Sequence, residues 1–164
     1  MTTIRTATLR HEGGDRFAAT TGSGRSPVFG LTPAAGELSP VETVVVALAA
    51  CSAMDVVSIA LKKRQDFTRY EIRVRAEQRD EYPQVLTRVD VTHEVEGPGI
   101  SPAAIRRCIL LSATKYCPVN AMISAGVTEV HHGYRVIGTG PKPFDESAEV
   151  IVTGPYLKPE IQPG

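Results

Sequence analysis

The spacing of apolar residues along the chain changes several times, and each change marks an element. Residues 3–10 alternate, with Ile4, Thr6 and Thr8 set against Arg5, Ala7 and Leu9, which predicts a strand. The turn Glu12-Gly13-Gly14-Asp15 follows, so residues 16–21 are expected to return as its hairpin partner, with a further short strand at 27–29 and a Pro/Gly/Ala loop through Gly36. Alternation is cleanest over 70–78, where Ile72, Val74 and Ala76 share one face and Glu71, Arg73, Arg75 and Glu77 the other. After turn residues at 80–83, Val89, Val91, His93 and Val95 carry the same period through 85–95, completing an antiparallel hairpin with one wet face.

Between these strands residues 43–54 hold no charge on any side. A helix apolar all round is one that is covered all round. Its start is marked by Ser39 as N-cap, Pro40 at the first helical position and Glu42 completing a Ser-x-x-Glu capping box. It should run to about Lys63. A membrane span needs about 20 mostly apolar residues, and Asp55 with Lys62-Lys63-Arg64 interrupts this one, so it is expected to be the core helix of a soluble protein. Ser101-Pro102 repeats the cap and opens a second helix through Ile105, Ile109 and Ser112, ending near Tyr116 because Pro118 disfavours helical geometry in the residue before it. A further turn opens at Pro118 with Cys117 as its N-cap, and Gly126 ends it. Residues 127–130 and 134–137 read as a last strand or hairpin. Prolines 141, 143, 155, 159 and 163 then punctuate a stretch of little periodicity, which predicts a domain over 1–138 and an extended, Pro-rich extension over 139–164 with a short strand at 149–153.

Segregated strands and helices with hairpin signals predict an α+β fold on an antiparallel or mixed sheet. The all-apolar helix needs more cover than one small sheet gives, and a homodimer would supply it. The chain has 164 residues, enough for one core. Its 18 Lys+Arg balance 18 Asp+Glu, which removes any electrostatic case for nucleic acid or a membrane surface as partner. The N-terminal residues alternate rather than forming a charged-then-apolar leader, so a cytoplasmic protein is expected.

Three cysteines, Cys51, Cys108 and Cys117, without Cys-x-x-Cys or regular spacing, do not make a secreted disulfide framework. Cys108 lies mid-helix beside Ile109 and reads as structural. Cys117, as an N-cap, is placed where the helix dipole lowers a thiol pKa. Cys51 lies too deep in its helix for that field, and two readings stand: a small inert core residue, or a reactive thiol with positive charge brought to it, normally an arginine held by a carboxylate. Glu42 is the candidate carboxylate. In a regular helix, however, nine residues turn through about 900° and rise about 13 Å, so a capping role suits it equally. Asp55, at i+4 from Cys51, shares its face and should pair with an arginine or with backbone donors. His93 reads as a satisfied core histidine. His131-His132 lacks a third ligand, and adjacent strand residues point to opposite faces, so the pair is expected in solvent. No phosphate loop, Gly-x-Ser-x-Gly motif or metal cluster is present, and no cofactor is expected.

The pairing of Ser39-Pro40-Val41-Glu42 and Ala49-Ala50-Cys51-Ser52 with Tyr116-Cys117-Pro118-Val119-Asn120 resembles the OsmC and organic hydroperoxide resistance (Ohr) family. The run from Cys51 to Ile59 with Lys63-Arg64-Gln65-Asp66 is most similar to its YhfA-like branch. The resemblance covers about residues 9–136. It implies an intertwined homodimer with sheets wrapped around two central helices and active sites at the subunit interface. It also implies a thiol peroxidase for organic hydroperoxides, acting in oxidative-stress defence, with Cys51 peroxidatic, Cys117 resolving and an external dithiol, such as a lipoyl group, as reductant. The family's glutamate follows its proline directly; that position is Val41 here and Glu42 comes one residue later. Its arginine comes from a Gly-Gly-Arg-type turn, here Gly13-Gly14-Asp15-Arg16, which makes Arg16 the candidate, with Arg10 and Arg25 as substitutes. These displacements leave open a second reading, a non-catalytic dimer of the same fold that binds a small hydrophobic ligand.

Overall fold

The computed structural model of the protein describes residues 3–29 and 37–154, which leaves the 30–36 loop and residues 155–164 outside the description. The chain divides into two compact units, Met1–Val46 and Ala47–Gly164.

The first unit is a three-stranded antiparallel sheet of β1 (Ala7–Gly13), β2 (Arg16–Thr21) and β3 (Val28–Phe29). The β1–β2 turn needs Gly13 and Gly14, whose φ angles of 110° and 56° lie where a side chain is disfavoured. Leu9, Phe17, Ala19, Pro27 and Phe29 help line an apolar cavity of about 470 Å³ in this unit. The unit also holds the start of α1 (Pro40–Lys62), where the expected capping box forms. Ser39 N–H donates to Glu42 Oε2 at 2.9 Å and Glu42 N–H to Ser39 Oγ at 3.2 Å.

The second unit is a four-stranded sheet in the order β4 (Arg69–Gln78), β5 (Leu86–Gly97), β6 (Glu129–Gly138), β7 (Phe144–Thr153). The β4–β5 hairpin forms as its alternation requires, pairing Ile72 with His93 and Val74 with Val91. β5 and β6 run parallel, joined by a crossover through α2 (Pro102–Leu111) and α3 (Pro118–Ser124). The sheet is therefore mixed. Inward residues of α1 at four-residue spacing, Leu48, Ser52, Val56 and Ala60, are buried. Val56 and Ala60 join Val95, Ile105, Ile109 and Val136 in one core cluster; Leu48 joins Val89, Val91, Cys117 and Val130 in another.

Two expectations for the C-terminal part change. Residues 127–137 do not form a hairpin: β6 is a single strand with a register shift at His132/Gly133. Nor does the sheet stop at residue 138. β7 pairs with β6 from Phe144 to Thr153, so the stretch read as an extension supplies an edge strand, and the short strand expected at 149–153 is only its second half. The signal was weak because the first half of β7 is exposed and carries Asp145, Glu146 and Ser147. The cover expected around α1 is also incomplete within one chain, since Met54 is 74% and Leu61 61% exposed. By length and composition alone α1 would suffice to cross a membrane.

Candidate thiol site

The site is built where α1 meets the junction between α2 and α3. α2 begins at Ser101, whose Oγ accepts from Ala104 N–H, with Pro102 at the first helical position. After Leu111 the coil widens into one π-type turn, Ser112–Tyr116, closed by Cys117 N–H donating to Ser112 O at 2.9 Å. Pro118 then forces Cys117 out of helical geometry, to φ −74° and ψ 101°. The residue thereby becomes the cap of α3, its Sγ accepting from Asn120 N–H at 3.3 Å.

On α1, Cys51 is half-buried and Asp55 follows one turn later on the same face. A carboxylate oxygen of Asp55 and the sulfurs of Cys51 and Cys117 all lie within 4.8 Å of one another. The structure thus brings the two candidate thiols together. Asp55 does not pair with an arginine or a backbone donor: Ser112 Oγ, across the site, donates to its Oδ2 at 3.0 Å. A hydroxyl is a sufficient partner because Asp55 keeps some access to solvent.

The thiol of Cys117 behaves opposite to the dipole expectation. Burial first, and then its contact with Cys51, raise its pKa well above the ordinary value; the Asn120 N–H pulls the other way and is outweighed. Cys117 is therefore held as a thiol rather than a thiolate. Cys108 is fully buried in the core, its thiol pKa raised by burial, as the structural reading required.

Beneath the thiols lies a polar layer that sequence reasoning found only in part. His93 is a satisfied core histidine, with Tyr70 Oη 2.7 Å from Nδ1 and Ser52 Oγ 3.3 Å from Nε2. His132, expected in solvent, is buried instead. The alternation that gave Val130, Tyr134 and Val136 an inward face gives His132 the same face, so the signal was present. Asn120 Nδ2 donates to Ala113 O at 2.8 Å, which fixes Oδ1 as the acceptor for His132 Nε2 at 3.0 Å and Thr153 Oγ1 at 3.2 Å. Burial is the main force lowering both histidines, His93 to about 3, with help from His132, and His132 to about 4, with help from His131. Both are neutral at physiological pH.

Arg16 and Glu42 belong to the first unit. Arg16 Nε lies 2.8 Å from Glu37 Oε1, so the carboxylate that holds this guanidinium is Glu37. Glu42 is engaged at its cap, and its hydrogen bonds from Ser39 lower its pKa.

A mixed sheet and a long apolar helix that sets one cysteine against another at a Pro-capped helix junction define an α+β protein with a paired-thiol site. The profile of OsmC-like proteins matches residues 33–131. Protein YhfA of Escherichia coli strain K12 is 40% identical over 99 residues, 60% of this chain and 73% of YhfA. The crystal structure of an OsmC-like protein from Mycoplasma pneumoniae superposes with a TM-score of 0.68 at 16% identity, over 83% of this chain and 97% of that one. An organic hydroperoxide resistance protein OsmC from Legionella pneumophila does so with a TM-score of 0.57 at 14% identity, over 82% and 96%; these two likenesses speak for the fold. The chain belongs to the OsmC family.

Proposed function

We propose that this protein is a cytoplasmic, homodimeric, thiol-dependent reductase of organic hydroperoxides. The observation that carries the proposal is the approach of the Cys51 and Cys117 sulfurs to within 4.8 Å, on two rigid elements. In the first step the Cys51 thiolate attacks the terminal oxygen of the hydroperoxide. An S–O bond forms, the O–O bond breaks, and the alcohol leaves with a proton. The sulfur of Cys117 then attacks the Cys51 sulfenic acid: the disulfide forms, the S–O bond breaks, and the departing hydroxide takes the Cys117 proton to leave as water. An external dithiol, of which a lipoyl group is the type, restores both thiols by exchange. Cys117, kept as a thiol, holds the proton this second step consumes. Arg16, fixed by Glu37, is the candidate cation for the Cys51 thiolate. The dimer is supported by the apolar surface that α1 leaves uncovered at Met54 and Leu61.

The test is consumption of cumene hydroperoxide by the reduced protein with excess dithiol. Cys51→Ser should abolish turnover, whereas Cys117→Ser should consume one equivalent and accumulate a sulfenic acid that a cyclic diketone traps. A wild-type protein that consumes no hydroperoxide above the reagent background refutes the proposal. Engagement of Glu42 at its helix cap favours the second reading, a non-catalytic dimer that binds a small hydrophobic ligand. That reading requires Cys51 to titrate with alkylating reagents like an ordinary thiol.

A further inference from the structure

The same corner of the fold has a second chemistry that peroxide reduction does not use. Cys51 and Asp55 stand at i and i+4 on α1, the spacing by which one helix presents two ligands to one metal ion. Cys117 supplies a third donor from another element, and all three donor atoms lie within 4.8 Å of one another. We propose that Cys51, Asp55 and Cys117 form a zinc site of two thiolates and one carboxylate, with the fourth position left to water.

Four features of the site argue for this occupant. Tetrahedral zinc with bonds of about 2.3 Å to sulfur and about 2.0–2.2 Å to oxygen sets its donors about 3.5–3.8 Å apart, so the three atoms need close by only about 1 Å. Their supports are already in place: Ser112 Oγ donates to the Asp55 carboxylate and Asn120 N–H to the Cys117 sulfur, the kind of outer contact that orients metal ligands. The set is anionic, and the hydrogen-bond partner of Asp55 is a hydroxyl rather than a cation, so a divalent ion would neutralise charge that the site leaves uncompensated. Two sulfurs select a soft or borderline ion over magnesium or calcium. Binding displaces one proton from each thiol and forms two Zn–S bonds without redox change, so the occupied site holds both sulfurs away from peroxide and from each other. The site itself requires no peroxidase activity, only the reduced dithiol.

The full-length reduced protein, handled anaerobically, is titrated with Zn²⁺ against a chromophoric chelator, and in parallel with Co²⁺. The expected result is one ion per chain and release of up to two protons. Co²⁺ should give thiolate charge-transfer absorption with the visible bands of a four-coordinate ion. Cys51→Ser and Cys117→Ser should lose tight binding, Asp55→Asn should weaken it about tenfold or more, and Ser112→Ala should weaken it by roughly 10-fold. X-ray absorption on the wild-type zinc form should show two sulfur neighbours, a readout that does not depend on whether the variants fold. Absence of stoichiometric binding, an octahedral cobalt spectrum, or an Asp55→Asn protein that folds and binds as tightly as wild type overturns the site. Hydroperoxide consumption by metal-free protein is measured separately, so the peroxidase and zinc assignments stand or fall independently.

Discussion

Ser52 Oγ lies 3.3 Å from His93 Nε2, and Ser52 is the residue next to Cys51. One hydrogen bond thus ties the thiol-bearing helix to the central strand of the sheet. It requires a neutral or suitably oriented imidazole in a fully buried place, as does the contact of His132 with Asn120.

Those two histidines make stability fall in mild acid. Their folded pKa values, about 3 for His93 and about 4 for His132, lie below the unfolded value near 6.5. Between those limits the unfolded chain binds protons that the folded chain refuses. Stability is therefore complete above about pH 6.5 and declines as pH falls, by up to about 1.4 kcal/mol per pH unit for each histidine. The carboxylates with lowered pKa, such as Asp90 and Asp145, act in the same direction but mostly below about pH 4.5. Urea midpoints at pH 7.5, 6.0 and 5.0 should decline steadily; a midpoint constant over that range would contradict the assignment.

Asn120→Ala should cost about 3 kcal/mol. The side chain satisfies Ala113 O, His132 and Thr153 together, and its loss leaves buried groups unpaired at about 1–3 kcal/mol each. Because the bond to Cys117 comes from the Asn120 backbone, it survives the substitution. Chemical denaturation gives the value.

Gly97→Ala should destabilise strongly where Gly126→Ala does not. A Cβ on Gly97 would lie 2.3 Å from Asp66 O and 2.5 Å from the Phe67 Cα, which are backbone atoms that cannot move aside cheaply, whereas at Gly126 the nearest atom is Ile123 O at 3.8 Å. Overpacking of this kind costs about 1–3 kcal/mol. Paired thermal melts of the two variants decide it.

On the outer face of the sheet Arg69, Arg73 and Arg135 converge on the nearly buried Glu94. Glu94→Gln removes the common anion and leaves three like charges. The guanidinium groups are about half exposed, which screens them. The expected loss is about 1–2 kcal/mol at low salt, shrinking as NaCl is raised to 0.5 M. A loss independent of salt would point to packing instead.

Most of what positions the site could be read from local chemistry. Ser39-Pro40 and Ser101-Pro102 announced two helices, Pro118 made Cys117 a cap, and the alternation of β4 and β5 gave their inward faces. What could not be read depends on residues distant in sequence. That β6 lies parallel to β5 follows from the crossover through α2 and α3, which leaves no mark on periodicity. β7 was obscured because an edge strand exposes both faces of its first half. The partner of Asp55 was misjudged because a serine 57 residues away is not a signal that charge pairing suggests. The meeting of Cys51 and Cys117 came from family resemblance, and the geometry supplied what resemblance could not, the carboxylate between them.

The pairing order of the four-stranded sheet also bears on how it forms. β4 with β5 and β6 with β7 are hairpins whose connections run only over 79–85 and 139–143, so each can close locally. The central seam cannot, because strands β5 and β6 meet only after residues 98–128 have looped across. Loop closure precedes any reward from that seam, so joining the two hairpins is the late event of assembly. Residues of the thiol corner contributed by that loop, Ser112, Cys117 and Asn120, take their places at the same moment. Newly made chains therefore carry ordered hairpins before they carry a working pair of sulfurs.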